Sequence, residues 1–279
     1  MSPTLPQEMC DAIIDFLDDD PKTLAQVARV SRSWAPTSRK YLFKAVRISH
    51  VLAWSRFADC VRWNNDAGPL PRCTDYVQRL ELEHPLPRLT PKIASLLGML
   101  KNVCTLVLND GVAIEFGRNE QLRNYFTKTV TSLILNGTTL TNVEELKALK
   151  LTVTGFPETR HLEIRNLMAV PTRLMTNDLL EDPELSWHNR SMAATTSVPL
   201  ETVILDTGIF PLSSLIAEWL VNAPSAGGLR SLHIYRKFDN TLARMEAFNS
   251  LCAASRRTLE HLHFHISFMF LMNSVQAGE

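Results

Sequence analysis

The chain has no excess of either charge: 29 Lys and Arg stand against 29 Asp and Glu over 279 residues. Nucleic-acid binders usually carry a basic face, because phosphate neutralisation supplies much of their affinity, so no nucleic-acid partner is expected. No run of about 18 apolar residues occurs, so no membrane span is expected either. The N-terminal stretch lacks a basic segment followed by a continuous apolar one, and no secretory signal is expected. Cysteine is sparse: Cys10, Cys60, Cys73, Cys104 and Cys252 are odd in number, scattered and without a CxxC pair. That usage suits a reducing compartment better than a disulfide scaffold, which makes a soluble cytoplasmic or nuclear protein the expectation.

Chemistry-bearing motifs are missing too. There is no GxSxG, P-loop, HExxH or dinucleotide fingerprint, and Gly111 to Gly117 lacks the Lys-Ser/Thr that a phosphate cradle needs. The expectation is a protein that is not an enzyme and carries no cofactor or metal.

What is present is an ordinary globular composition, 45% hydrophobic and 21% charged, with an uneven start. Glu8, Asp11, Asp15, Asp18, Asp19 and Asp20 fall before Pro21 with no base among them. Lys22, Arg29, Arg32, Arg39, Lys40, Lys44 and Arg47 then follow with no acid. Such a split suits a self-complementary helical module. Leu5-Pro6 opens a first helix, in whose first turn proline's missing N–H costs nothing. Met9, Ile13 and Phe16, with Cys10, Ile14 and Leu17, form a broad apolar stripe at helical spacing. Asp18-Asp19-Asp20-Pro21 breaks that helix and starts another, with Asp20 as N-cap. Leu24, Val27 and Val30 line the second helix, and Pro36 limits its extension. A third short helix should carry Tyr41, Leu42 and Phe43, and Lys44 to Ile48 alternates like a strand. Three helices of this size bury little surface alone, so the unit needs a partner or a neighbouring domain.

Leu5-Pro6-Gln7-Glu8-Met9, Ile13, Leu17, Leu24, Val30 and Arg32-Ser33-Trp34 resemble the F-box motif, with Met9-Cys10 in place of a leucine pair and Ser31 in place of a cysteine. Asp19 to Leu24 together with Ser38 to Phe43 is similar to a group of fungal F-box proteins. The resemblance implies that this module docks the Skp-type adaptor of a cullin ubiquitin ligase. It also implies that Leu5, Pro6, Met9, Ile13, Leu17 and Trp34 form the docking surface or support it directly.

The remainder repeats apolar-x-x-apolar-x-apolar. The hexamers begin at Val77, Val103, Val130, Thr159, Leu200, Leu229 and Leu259, and their central residues Leu80, Leu106, Leu133, Leu162, Val203, Leu232 and Leu262 lie 26, 27, 29, 41, 29 and 30 positions apart. One hexamer means little. Seven at quasi-regular spacing indicate leucine-rich repeats, here degenerate because the slots that usually hold Asn or Cys carry other residues, from Pro85 to Ser267. Helices are predicted at Pro91–Lys101, Glu120–Lys128, Val143–Leu149, Leu212–Val221 and Leu242–Cys252. The expected fold is therefore α/β: a three-helix F-box module at 1–48, a helical connector at 49–76, and an irregular leucine-rich-repeat solenoid at 77–279. The solenoid is a curved parallel sheet with helices on its convex side. Residues from about 168 to 198 form an insertion, with Glu181-Asp182-Pro183 and Ser191–Ser197 read as surface loop and Trp187 as a candidate anchor. Phe268 to Met272 is apolar with no polar capping repeat, as in a shortened solenoid.

Strand parity separates core from surface. Cys104 shares the parity of Leu106 and Leu108 and is expected to be buried. The other face should present Val107, Ile134, Ile204 and Tyr235 to a protein target, with His233, His261, His263 and His265 at its far end. Under the resemblance the repeats would hold a substrate for ubiquitination while the chemistry stays on other subunits. Two alternatives stand beside this reading: a repeat protein acting outside any ligase, and a metal-dependent hydrolase on the histidine-rich strand face.

Overall fold

The computed structural model describes residues 5–65, 72–83, 91–169, 200–207, 210–221, 228–237 and 246–267. Three short helices come first. α1 (Gln7–Asp15) starts behind Pro6, whose carbonyl accepts the amides of Met9 and Cys10. Asp20 caps α2 (Pro21–Val30), accepting the amides of Lys22 and Thr23 at 3.1 Å each and the Thr23 hydroxyl at 2.6 Å. The chain turns at Ser31, which is only half-buried and whose hydroxyl sits 2.9 Å from that of Ser33. Pro36 lies in the first turn of α3 (Ala35–Leu42), so the proline that limits α2 opens the next helix.

The alternating stretch before Ser49 forms β1 (Ala45–Ile48), and it belongs to the sheet. Val46 lies beside Leu80 and Ile48 beside Leu82 of β2 (Arg79–Leu82) in parallel register. Between them α4 (Val51–Asn65) buries Trp54, Phe57, Ala58 and Val61 in the common core. A 3-10 turn at Cys73–Tyr76 follows, and α3 packs on it. The expected connector is thus the first layer covering the sheet. Phe43-x-x-Val46-x-Ile48 fits the same apolar hexamer as the later strands, a signal masked by its place beside the helical module.

The remaining strands are β3 (Thr105–Asn109), β4 (Ser132–Asn136), β5 (Thr139–Leu140), β6 (His161–Ala169), β7 (Thr202–Thr207), β8 (Ser231–Lys237) and β9 (His261–Ser267). Among the described residues they make, with β1 and β2, one nine-stranded sheet, in which spatial order follows sequence order and β5 pairs with the far end of β6. Every pairing is parallel, and Leu80, Leu106, Leu133, Leu162, Val203, Leu232 and Leu262 occupy one row. Each strand is laid beside its predecessor, and parallel crossovers keep a right hand, so the connecting helices all fall on one face.

Those helices are α5 (Pro91–Gly98), α6 (Val112–Arg118), α7 (Glu120–Phe126), α8 (Val143–Thr154), α9 (Phe210–Val221) and α10 (Glu246–Ala254). α5 ends at Gly98, short of the predicted Lys101, while α8 runs past the predicted Leu149. α6 was not predicted. It follows a turn in which Asp110 and Gly111 take φ of 49° and 83°, the left-handed region that glycine adopts without strain. Gly117 has a packing reason: a Cβ there would lie 1.8 Å from the Ala148 carbonyl oxygen, so α6 meets α8 backbone to backbone. Asn119 and Asn142 cap α7 and α8 through their side-chain oxygens.

The helix-facing side chains of β1 to β8, together with α4 to α10, build one apolar core. Three details depart from expectation. Cys104 is half-buried and sits 3.5 Å from the Gln78 carbonyl, because β3 begins only at Thr105 and strand parity does not reach back to it. Leu262 and Phe264 are exposed, because β9 is the last strand of the sheet and no described helix follows to cover it. β6 continues to Ala169, past the expected start of the insertion, with its register broken between Arg165 and Leu167 where Asn166 takes a φ of 51°. Trp187, the polar loop motifs around it and Phe268 to Met272 lie outside the described residues. Among the described residues no helix is long and apolar enough to cross a membrane.

Candidate functional site

Two surfaces stand out. The first is the outer face of α1. The stripe predicted from spacing divides: Cys10 and Ile14 are buried against the module, whereas Leu5, Met9, Ile13 and Phe16 point outward. Phe16 is 90% exposed and Val30, at the end of α2, 74%. A helix with apolar residues on both sides has more greasy surface than its own module can cover. Pro6 is exposed and acts through its carbonyl at the helix start, while Leu17 and Trp34 are half-buried. Phe16 was visible in the periodicity but not singled out, because the motif that picked the other positions does not include it.

Polar contacts hold α1 on α3. Thr37 donates to Asp11 at 2.6 Å, and Gln7 donates to Asp11 at 2.9 Å and to the Ser33 carbonyl at 3.1 Å. The Tyr41 hydroxyl donates to Asp15. The Thr37 and Gln7 hydrogen bonds hold the Asp11 carboxyl below the usual carboxylate range, and the Asp15 hydrogen bond pushes the Tyr41 phenol up. The clustered acids of α1 therefore meet hydroxyl and amide donors, and the neighbouring Lys40 ammonium lies over the Tyr41 ring.

The second surface is the helix-free face of the sheet. Parity places Arg47, Glu81, Val107, Ile134, Glu163, Ile204, His233 and His263 side by side in one row. Ile134 and Ile204 are half-buried and Tyr235 is exposed. Val107 is not available to a target: it is 4% exposed, enclosed by its register neighbours Glu81 and Ile134 and by the hydrogen bond from Asn109 to Glu81. Parity was right; solvent access was not.

That hydrogen bond belongs to a ladder that pattern reading missed. Asn166 donates to Asn136 at 2.9 Å, Asn136 to Asn109 at 3.2 Å, and Asn109 to Glu81 at 3.2 Å. Arg47 closes the chain, pairing with Glu81 at 3.7 Å and with Glu83. The Leu-Asn steps ending β3 and β4, 27 residues apart, were the available signal. Further along, Glu163 is buried and pairs with Arg165, while His161 lies 3.5 Å from it. Burial, then the Arg165 charge, push the His161 imidazole below the ordinary histidine range.

At the far end His233 and His263 stack with ring centroids 5.6 Å apart, and Tyr235 lies 6.0 Å from His263 and 5.9 Å from His265. Stacking turns ring faces, rather than nitrogen lone pairs, toward one another. Among the described residues no group of three or more His, Cys, Asp or Glu could hold a metal ion. No protein-family model matches this chain, and no curated protein or solved structure matches it.

Proposed function

We propose that the chain is a substrate-recognition adaptor of the F-box type: its helical module docks a Skp-type adaptor of a cullin ubiquitin ligase, and a degenerate leucine-rich-repeat solenoid holds a protein target. The observation that carries this reading is the outer face of α1, where Leu5, Met9, Ile13 and Phe16 are exposed together within twelve residues. An exposed apolar patch of this kind marks a protein–protein contact. The resemblance of residues 5–48 to the F-box motif supplies the partner. Function on this reading is tethering: the target is brought near the reacting thioester, and this chain performs no chemistry of its own.

The sheet supports the second half of the reading. Its rows repeat once per strand, its helices lie on one side, and an asparagine ladder stiffens the other, leaving a continuous face for a target. Ile134, Ile204 and Tyr235 remain the target-binding residues, whereas Val107 acts beneath them.

The test is co-purification with the Skp-type adaptor. Met9→Asp with Phe16→Asp changes two exposed side chains and leaves the fold alone. Loss of two apolar anchors costs about 2 kcal/mol each, so roughly a thousandfold weaker docking is expected. Retention of the adaptor at wild-type strength by this variant would remove the docking claim.

A further inference from the structure

A cleft of about 430 Å³ opens where the 3-10 turn at Cys73–Tyr76, the C-terminal end of α5 and the helix α7 meet. Its polar wall carries two cations. Arg72 and Lys101 are exposed, and neither has an ion-pair partner among the described residues. One acid lines the cleft with them, and it is already engaged. Asp75 accepts the Arg72 amide at 3.1 Å through its carboxylate, and its carbonyl accepts the Asn102 side-chain amide at 2.6 Å. Two hydroxyl-bearing residues complete this side: Ser95, which is exposed, and Thr74, which is 1% exposed. The Thr74 hydroxyl has no hydrogen-bond partner. A buried hydroxyl left unpaired is costly, and in the wall of a cleft it is a donor for which the protein supplies no acceptor.

The opposite wall is apolar. Tyr125 and Met99 are half-buried there, and the Tyr125 ring lies beside Gly98, where a Cβ would stand 3.5 Å from the ring's Cε1. A phenol ring and a thioether both pack well on a second aromatic ring. The polar wall favours phosphate over carboxylate. A guanidinium, an ammonium and two hydroxyls border one cleft, and a phosphate monoester brings three terminal oxygens to them where a carboxylate brings two. The volume lies toward the low end of small-molecule sites, so the ligand is compact.

We propose that this cleft binds a small phosphate monoester carrying a planar ring, with the phosphate held by Arg72, Lys101 and Ser95 and the ring lying against Tyr125 and Met99. The site goes beyond the proposed function and depends on neither of its docking surfaces, since α1 and the helix-free face of the sheet contribute nothing to its lining.

The test is equilibrium dialysis of the full chain against phenyl phosphate, with inorganic phosphate, phenol and benzylammonium as controls that each keep one feature or reverse the charge. Phenyl phosphate should bind with a Kd of about 1 mM or below, and about tenfold more tightly than inorganic phosphate or phenol. Arg72→Gln with Lys101→Gln changes two exposed side chains, so this variant should melt as wild type does and bind phenyl phosphate about tenfold more weakly or worse. Gly98→Ala places a methyl at ordinary contact distance from Tyr125, so it should fold, weaken phenyl phosphate and leave inorganic phosphate unchanged. An absence of saturable binding up to about 10 mM overturns the proposal. So do equal affinities for phenyl phosphate and inorganic phosphate, equal binding of benzylammonium, or an unchanged affinity in either variant. Tighter binding of a phosphotyrosyl peptide than of phenyl phosphate would assign the cleft to a modified protein and overturn the small-molecule reading.

Discussion

Leu133 and Ile134 are adjacent in sequence and opposite in consequence. Leu133 is fully buried on the helix-facing side of β4, between Leu106 and Leu162 in register. Ile134 is half-buried on the other face, between Val107 and Glu163. Leu133→Ala opens a cavity whose walls are backbone-fixed neighbours on both sides, which collapse poorly, so its cost belongs in the upper half of the usual range, about 4 kcal/mol. Ile134→Ala loses only the part of its transfer free energy that burial secured, about 1 kcal/mol. At about 2 °C per kcal/mol for a chain of this size, the midpoints of thermal unfolding should fall by about 8 °C and about 2 °C. Aspartate widens the gap. At 133 it adds the cost of a buried, unpaired carboxyl, several kcal/mol, which brings the total close to the whole stability of a typical domain, roughly 5–15 kcal/mol. At 134 the carboxylate stays in contact with water and the fold survives. Far-UV circular dichroism melts of the four variants decide the matter. An Ile134→Ala loss equal to or larger than that of Leu133→Ala would mean the strand faces are assigned the wrong way round.

Three further outcomes follow from single contacts. Gly117→Ala should destabilise by about 3 kcal/mol or more, seen in urea unfolding, because a Cβ 1.8 Å from the Ala148 carbonyl forces α6 away from α8; an unchanged midpoint would deny that close approach. Asp20→Ala should lower stability and speed hydrogen exchange at Lys22 and Thr23, whose amides donate to the carboxylate; unaltered exchange there would mean the cap is idle. His161 is held below the ordinary histidine range when folded, so the unfolded chain takes up its proton more readily and stability falls as pH drops below about 6.5. Urea midpoints of wild type and His161→Gln compared between about pH 7.5 and about pH 5.5 should show a smaller loss in the variant; an equal loss would clear His161 of the effect.

Sequence alone determined the elements whose cause is local. The Asp20-Pro21 start of α2 is a capping rule written in two adjacent residues, and the structure places the cap there. The row of Leu80, Leu106, Leu133 and Leu162 follows from a period-two pattern recurring at a steady interval, and parallel pairing puts all four in register. Tertiary structure decided what depends on neighbours distant in sequence. Val107 and Ile134 share parity and chemistry, yet Val107 is shut off from solvent by the hydrogen bond from Asn109 to Glu81, whose partners lie 28 residues apart. Lys44 to Ile48 alternates like a strand in the sequence, but that β1 joins the sheet is decided by Val46 and Ile48 lying beside Leu80 and Leu82, 34 residues on. On α1 the helical spacing marked one broad stripe, but only packing against α3 divided it into buried Cys10 and Ile14 and exposed Met9, Ile13 and Phe16. Periodicity states which side chains share a face; whether that face meets water, a partner or the chain itself is fixed by contacts across the fold, because burial is a property of the surroundings and not of the residue.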